Sequence, residues 1–264
     1  MARKKTLSEQ VEKETLEASS SPSTKRALRT RVEKSSTRRK SYTMDLRIHS
    51  PASLGYLGIE GIDTAPAMVR LAKVKGLDMI ALTDYYSGDF IDRVVEAARE
   101  SNLTIIPGTA IRCALNACTD VVLLCFFPED HGKSEIEAFL EDLGMSHQDF
   151  GDRNYLVQRP FEEILEVINN HGGEALPSRM DKTPQRMGVI PTLVEDYGFR
   201  AFDLAYGDSE QFFKKRWPKI KFQLFSFSNA NALAQVGSRT AKVKLPVSGF
   251  AGIKEIVARE ALSS

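Results

Sequence analysis

The sequence predicts an α/β fold with a mainly parallel sheet in a barrel-like arrangement. From Asp45 onward, short apolar runs alternate with amphipathic stretches of helical periodicity, which is the pattern of successive strand and helix units. Roughly seven such units follow one another in roughly 220 residues, which suits one barrel better than two independent domains. The run at 121–127 (VVLLCFF) is too apolar to face water on either side, as in a sheet covered on both faces.

The first predicted elements are defined by their ends and their periodicity. Residues 66–76 begin with proline, a favourable first helical residue, and end on glycine, so they predict a helix. The apolar residues 77–82 predict a buried strand directly after it. Residues 89–101 place five apolar side chains on one helical face and predict an amphipathic helix. Strands at 103–106 and 121–127 follow.

The same alternation continues to the end of the chain. A helix predicted at 160–170 is closed by two consecutive glycines, a common helix stop. Residues 145–159 have no periodic pattern and predict a loop. The remaining predicted elements are helices at 134–143 and 252–262 and strands near 174–177, 200–206 and 222–227.

The composition excludes several classes of protein. The chain has 264 residues and is 42% hydrophobic, which is enough apolar material for a folded core. No run approaches about 18 consecutive apolar residues, so neither a membrane-spanning helix nor a membrane partner is expected. The three cysteines are too few for a disulfide-built fold and indicate a reducing compartment, so we expect a cytoplasmic protein.

The net charge of +1 is a cancellation between two segments of the chain. Residues 1–43 carry twelve Lys or Arg against five Glu, a net charge of +7. Residues 44–264 carry the other 24 basic and 30 acidic residues, a net charge of −6. Because residues 1–43 contain no Phe, Trp or Ile, we expect a disordered basic arm, followed by one domain over 44–264. Met44 is an alternative start of the chain.

The positive charge of the arm is concentrated in residues 25–40, which hold eight basic residues and one Glu. This run predicts an arm that binds nucleic acid, another polyanion or a protein partner. The alternative is a solvated extension without a partner. No aromatic residue is interleaved with the charges of residues 25–40, so sequence-specific recognition of bases is not expected.

A second basic cluster lies in the acidic body. Phe213 and Trp217 are four residues apart, which predicts a helix that packs aromatic side chains onto the sheet. Residues 214–216 between them, together with Lys219 and Lys221, are all basic. They form either a solvated face or a second contact with nucleic acid.

Chemistry in α/β folds collects where strands end, and six segments at such positions resemble motifs of one family. In order, these segments resemble the DLHxHS, ITDHNS, PGxEI, VHLLCFF, IPSHVDR and SDAHSL motifs of the PHP (polymerase and histidinol phosphatase) superfamily. The resemblance implies a distorted (β/α)7 barrel that holds two or three divalent metal ions and hydrolyses phosphoesters. The segments are 45–50 (DLRIHS), 82–87 (LTDYYS), 107–111 (PGTAI), 121–127 (VVLLCFF), 176–182 (LPSRMDK) and 228–233 (SNANAL).

This sequence departs from the family at almost every metal ligand that the resemblance implies. His49 keeps its identity, and Asp84 stays beside a position that has lost its His. Alanine and valine supply no lone pair, and arginine stays protonated, so the replacements cannot ligate a metal cluster. We therefore expect no metal, no other cofactor and no catalysis. The replaced ligand positions are Arg47, Tyr85, Ala110, Val122, Arg179, Asn229 and Asn231.

The replacements point to a changed site at the mouth of the barrel. Two ligand positions have become arginine, and guanidinium groups can bind phosphate through two hydrogen bonds. Alternatively, Arg47 and Arg179 fill the space of the metal ions and pair with acids such as Asp84 or Asp181. The residues predicted to line this vestigial ligand site are Arg47, His49, Asp84, Tyr85, Arg179, Asn229 and Asn231.

Three functions are compatible with this sequence. The first is a catalytically inactive PHP-like domain that serves as a scaffold or subunit in an assembly with a protein partner, and whose basic arm contacts nucleic acid or protein. The second is a module that binds a phosphorylated small ligand, such as a nucleotide, at the arginine-substituted mouth. The third is a divergent metal-dependent phosphoesterase whose ligands have moved.

Overall fold

Two sheets and seven α-helices form the part of the chain described by the computed structural model, residues 38–260. The strands are β1 (Lys40–Ile48), β2 (Met79–Leu82), β3 (Thr104–Ile106), β4 (Gly108–Leu115), β5 (Cys118–Phe126), β6 (Glu174–Ser178), β7 (Ala201–Asp203), β8 (Gln223–Phe225) and β9 (Ala241–Leu245). The helices are α1 (Thr64–Val74), α2 (Ile91–Ala98), α3 (Lys133–Asp142), α4 (Phe161–Asn170), α5 (Pro184–Glu195), α6 (Glu210–Arg216) and α7 (Phe250–Val257).

The strands pair in the orders β3-β2-β1-β9 and β4-β5-β6-β7-β8. Four neighbouring pairs are parallel, and β1–β9, β4–β5 and β5–β6 are antiparallel. The predicted α/β class is therefore confirmed. The predicted barrel is not closed by continuous ladders within residues 38–260, because only isolated bridges, Tyr85 to Ala110 and Ile48 to Ala230, join the two sheets.

Most predicted elements lie within a few residues of their expected ends, and four elements, β1 among them, had no predicted bounds. Strand β4 follows Pro107 and begins at Gly108, a pair of residues typical of a loop. Helix α5 contains Pro191, and β9 is five residues long with two exposed lysines, so neither has a strong periodic pattern. The aromatic helix expected around Phe213 is confirmed as α6, since Phe213 is fully buried and its ring lies 6.0 Å from that of Trp217.

The boundary predicted at residue 43 lies four residues too late. Strand β1 begins at Lys40, and residues 40–44 pair with Leu245 to Ala241 of β9. These four residues belong to the sheet because Tyr42 packs against the interior apolar cluster. Residues 1–37, which include most of the predicted basic arm, lie outside the described residues.

The inner strands β2, β6 and β7 are buried on both faces, which explains their continuous apolar runs. In β2, Met79 and Ala81 face an interior cluster that α7 closes, whereas Ile80 and Leu82 face the helices. This alternation is the two-residue period of a strand. No helix within residues 38–260 combines the length and the apolar character that crossing a bilayer requires.

Candidate functional site

A cavity of about 490 Å³ opens at the carboxyl ends of β1, β2, β6 and β8. Seven Lys or Arg side chains line it against one carboxylate, that of Asp120. We call this cavity the arginine pocket. Six of the seven residues predicted for the ligand site line it, namely Arg47, His49, Tyr85, Arg179, Asn229 and Asn231.

Three strand ends at the arginine pocket share an uncommon backbone conformation. Tyr86, Arg179 and Asn229 follow β2, β6 and β8, and their φ angles are +50°, +55° and +53°. Left-handed backbone is disfavoured for side chains other than Asn and Asp, and it concentrates at functional sites. The strand ends thus turn sharply at the pocket.

The floor of one half of the arginine pocket is built around Asp203 at the end of β7. Arg47 Nη1 lies 3.2 Å from Asp203 Oδ2 and also donates to Ser178 Oγ. Arg179 Nε lies 3.5 Å from the same oxygen, and its Nη2 donates to the Phe227 carbonyl at 2.8 Å. One buried carboxylate therefore pairs with two guanidinium groups. Together the three groups carry a net charge of +1.

The predicted partners of the two arginines were wrong. The carboxylate of Asp84 accepts from Ser50 and Ser53 instead, and that of Asp181 accepts from the backbone N–H groups that follow β7. Asp203 is the partner because β7 runs directly beside β6. The sequence offered no motif to single out Asp203.

The other half of the floor contains a second pair of arginines, which the sequence analysis missed. Arg112 Nε and Arg186 Nη2 bind opposite oxygens of Asp120 at 2.9 and 2.7 Å. Arg112 is two residues beyond Ala110 on β4, so both side chains lie on the same face of the strand. Thr183 caps α5 and places Arg186 in its first turn. Recognition of β4 as a strand would have revealed Arg112.

The rim of the arginine pocket carries Arg153, Lys182 and Arg239, three exposed cations. Within residues 38–260, none of the three forms a salt bridge. Arg239 Nη1 donates to the Ala205 carbonyl at 2.8 Å, and the Arg153 guanidinium lies 5.9 Å from the centre of the Tyr85 ring. Arg153 and Arg239 fall in loops without a motif, so only the structure brings them to the site, whereas Lys182 ends the motif-like segment 176–182.

The cations of the arginine pocket repel one another. Burial lowers the pKa of Arg179; Asp203 opposes this shift, and Arg47 and Arg239 add to it. Arg47 Nε and Arg179 Nε are also buried without a hydrogen-bond acceptor among residues 38–260. Buried donors without an acceptor are costly, so this arrangement favours an anion inside the pocket.

His49 is held in its neutral form. Burial, the nearby Arg47 and, more weakly, Arg153 lower its pKa to about 4, although a hydrogen bond with Asn229 opposes this shift. The His49 ring is stacked on that of Tyr85, with centroids 5.7 Å apart. A neutral imidazole between an aromatic ring and cations can accept or donate one hydrogen bond to a ligand.

Asp84, the seventh predicted residue, lies behind the pocket and does not line it. Its carboxylate accepts from the Ser50 backbone N–H at 2.7 Å and the Ser50 hydroxyl at 2.6 Å, and also from the Ser53 hydroxyl. Burial raises the pKa of Asp84. The carboxylate thus fixes the turn after β1 rather than facing a ligand.

The donor set does not fit the metal cluster that the resemblance implies. No group of three or more His, Cys, Asp or Glu side chains within residues 38–260 could hold a metal ion. Ala110 and Val122 are buried apolar side chains at two of the implied ligand positions. The guanidinium groups of Arg47 and Arg179 stand at two others and supply positive charge themselves.

Solved structures of the same fold are found at low sequence identity. A proposed metal-dependent phosphoesterase from Bifidobacterium adolescentis aligns with a TM-score of 0.52 and 12% identity, over 81% of this chain and 94% of that chain. Endonuclease Q, in complex with a 27-mer duplex substrate with an abasic lesion at the active site, aligns with a TM-score of 0.59 and 16% identity, over 82% of this chain and 56% of that chain. An amidohydrolase from Chromobacterium violaceum, with bound sulfate and no metal, aligns with a TM-score of 0.53 and 13% identity, over 82% and 97%.

No protein-family model and no curated protein matches the chain. At these identities the solved structures establish the fold and not the activity. The prediction drawn from the six strand-end segments is therefore confirmed at the level of the fold, which this chain shares with the proposed metal-dependent phosphoesterase, Endonuclease Q and the amidohydrolase.

Proposed function

We propose that this protein binds a phosphorylated ligand in the arginine pocket and does not hydrolyse it. The observation that carries the proposal is the charge of the pocket: among residues 38–260, seven cationic side chains line it, against the carboxylate of Asp120 in the lining and that of Asp203 beneath it. Such an excess of positive charge is costly unless an anion occupies the space. Guanidinium groups match phosphate oxygens in geometry and hold them with charge-assisted hydrogen bonds.

The buried donors on the floor support a phosphate rather than a diffuse counterion. Arg47 is almost fully buried, and its Nε has no acceptor among residues 38–260; the same is true of Arg179 Nε. A tetrahedral anion seated between Arg47 and Arg179 would supply oxygens to the parts of their guanidinium groups that line the pocket. Each charge-assisted bond of this kind contributes about 1.5–3 kcal/mol.

The size and the rim of the arginine pocket favour a ligand with more than one phosphate group. Its volume of about 490 Å³ lies within the range of sites for small organic ligands, about 300–1,000 Å³. The rim cations Arg153, Lys182 and Arg239 can contact a second anionic group above the floor. Tyr85 and the exposed Tyr206 add aromatic surface for a base.

The absence of hydrolysis follows from the chemistry of the replaced ligands. Arg, Ala and Val cannot hold or activate the metal-bound water on which PHP phosphoesterases depend. Among residues 38–260, Asp84 lies behind the pocket, the carboxylate of Asp120 is paired with two arginines, and the lowered pKa of His49, about 4, makes its imidazole a weak general base. The amidohydrolase with bound sulfate and no metal is a precedent for an anion on this fold without a metal.

The experiment is a thermal-stability titration of the full-length protein with orthophosphate, pyrophosphate and ADP. We expect pyrophosphate and ADP to raise the melting temperature at micromolar to millimolar concentration. An Arg47→Met variant should lose this response, whereas Lys214→Met on the exposed face of α6 should keep it. The absence of a shift at millimolar ligand, with Arg47→Met behaving like the wild type, would overturn the proposal.

The sequence also supports a second function, that of a subunit whose arm contacts nucleic acid. Its specific support is the eight basic residues of 25–40, together with a fold neighbour that was solved on duplex DNA. We expect the full chain to bind DNA or RNA with an affinity that falls steeply with salt. Deletion of 1–37, which removes five of these eight basic residues and leaves β1 intact, should weaken this binding strongly. Unchanged binding after the deletion would contradict the role of the arm.

A further inference from the structure

A second groove, with a volume of about 540 Å³, lies between β8 and β9. Each of these strands is the last in its sheet, β8 in the five-stranded sheet and β9 in the four-stranded sheet. Both strands line the groove, so two sheet edges meet there without pairing with each other. An unpaired strand edge presents backbone N–H and C=O groups to any chain that can extend along it.

The hydrogen bonds of β8 show which backbone groups face the groove. The Gln223 N–H donates to the Arg200 carbonyl, and the Phe225 carbonyl accepts from the Leu204 N–H, so both residues point toward β7. Because backbone groups alternate sides along a strand, the N–H and C=O of Leu224 point away from β7. Leu224 lines the groove.

The hydrogen bonds of β1, the partner of β9, show which backbone groups of β9 face the groove. The Thr43 carbonyl accepts from the Asp78 N–H, so Thr43 points toward β2 and its neighbours point toward β9. Thr43 is paired with Lys242 in register, and the backbone groups of Lys242 and Lys244 therefore point away from β1. Within residues 38–260, one hydrogen bond reaches these outward-facing backbone groups: Arg39 Nη1 donates to the Lys244 carbonyl at 3.3 Å.

The charge of this groove is positive. Lys221, Lys242 and Lys244 line it, and none of the three forms a salt bridge within residues 38–260. Arg39 also lines it but is paired with Glu255. A strand between β8 and β9 would pass along these lysines, so acidic side chains on it would be favoured.

Part of the lining of this groove is apolar. Leu224, Val243 and Ile256 are partly buried and pack against the core, and they leave apolar surface in the groove. In β9, half-buried Ala241 and Val243 alternate with the exposed lysines. An extended segment that alternates apolar and acidic residues matches this pattern, with one face on the apolar lining and the other beside the lysines.

We propose that the groove between β8 and β9 binds an extended, acidic segment of a partner protein by strand addition. The partner's backbone pairs with Leu224 on one side and with Lys242 and Lys244 on the other. Its acidic side chains contact the unpaired lysines. Two edges in one groove distinguish this site from an ordinary charged edge, where lysines only prevent pairing. The proposal does not depend on the arginine pocket.

The test is a fluorescence-polarisation titration of the full-length protein with a labelled seven-residue peptide of alternating valine and glutamate. We expect saturable binding, accompanied by slower amide hydrogen exchange at Leu224, Lys242 and Lys244. A Lys242→Glu/Lys244→Glu variant should weaken binding about tenfold, since each surface charge contributes modestly. A peptide with lysine in place of glutamate should not bind.

Two matched variants separate backbone pairing from charge. Lys242→Gln removes the charge and keeps the outward N–H, and we expect about a twofold loss. Lys242→Pro also removes the N–H, and at an edge position proline is tolerated, so we expect a further fivefold loss. Equal binding by the two variants, or by the lysine peptide, would overturn strand addition of an acidic segment. An absence of binding at millimolar peptide, or competition by pyrophosphate, would also overturn strand addition.

Discussion

The guanidinium group of Arg47 lies 3.2 Å from the carboxylate of Asp203, and both side chains are buried at the floor of the arginine pocket. Arg47 occupies a position where the resemblance implies a metal ligand. The positive charge of the site is therefore supplied by a side chain and fixed by a protein carboxylate. Arg179 shares that carboxylate at 3.5 Å, so the floor depends on Asp203 more than on any other acid.

Replacement of that carboxylate should destabilise the protein strongly. Asp203→Asn keeps the shape but leaves two buried guanidinium groups without a charge partner, and we expect the free energy of unfolding in urea to fall by about 3–5 kcal/mol. Asp208→Asn, at an exposed position, should change it by less than about 0.5 kcal/mol. A loss below about 1 kcal/mol for Asp203→Asn would show that the pair is not a structural anchor.

The rim cations should affect ligand binding without affecting stability. Arg153→Ala and Arg239→Ala each remove a cation that has no salt bridge within residues 38–260, so we expect each to weaken pyrophosphate binding about tenfold. The free energy of unfolding should change by less than about 0.5 kcal/mol. Calorimetric titration measures the affinity, with Lys214→Ala as the control. Wild-type affinity in both rim variants would place the ligand elsewhere.

His49 should make the stability depend on pH in the acidic range. Its folded pKa is about 4, below the ordinary value of 6.5, so the unfolded chain binds the proton first. The free energy of unfolding should thus fall as the pH drops from about 6.5 to about 4, by up to about 3 kcal/mol. Asp84 Oδ1 lies 4.0 Å from His49 Nδ1. Because the pKa of Asp84 is raised, its protonation stabilises the folded state as the pH falls, which opposes the effect of His49.

The comparison of wild type with His49→Gln isolates the contribution of the imidazole to this pH dependence. Urea unfolding of both proteins between pH 4 and pH 7 should give a stability difference that shifts in favour of the variant as the pH falls. At pH 7, where His49 is neutral in both states, the difference reports packing alone. A stability difference that stays constant across this range would mean that His49 is not buried in its neutral form.

The donor chemistry of the site predicts that metals do not bind there. Metal analysis of the purified protein should find well below one Zn, Mn or Fe per chain, and a chelator should leave the melting temperature unchanged. Restoring single His residues at Arg47 or Arg179 should not create tight binding, because Ala110 and Val122 still supply no ligand. Stoichiometric metal, lost together with phosphatase activity in His49→Ala, would instead support a divergent phosphoesterase.

Much of the fold follows from local sequence patterns. The run at 121–127 forms most of β5, an interior strand of the five-stranded sheet, because a strand buried on both faces must be apolar throughout. The helix at 160–170 ended where two glycines stop it. Strand β9 could not be predicted, because its edge position allows lysines at alternate positions and weakens the apolar signal.

The candidate site was predictable only in part, for a physical reason. Arg47 and Arg179 stand in motifs that follow strands, so their convergence follows from the topology. Arg153 and Arg239 lie in loops. Arg112 lies on β4, which was not predicted as a strand because Pro107 and Gly108 stand at its start. Charge pairing is equally non-local: Asp203 and Asp120 each fix two arginines from different elements.

The central claim, binding without hydrolysis, is tested most directly by 31P NMR of pyrophosphate mixed with the full-length protein and Zn²⁺. We predict that the pyrophosphate resonance shifts or broadens in proportion to the protein, and that no orthophosphate signal appears over hours. The Arg47→Met variant should leave the resonance unperturbed. Growth of an orthophosphate signal, or a pyrophosphate resonance that the wild-type protein does not perturb, would contradict the account.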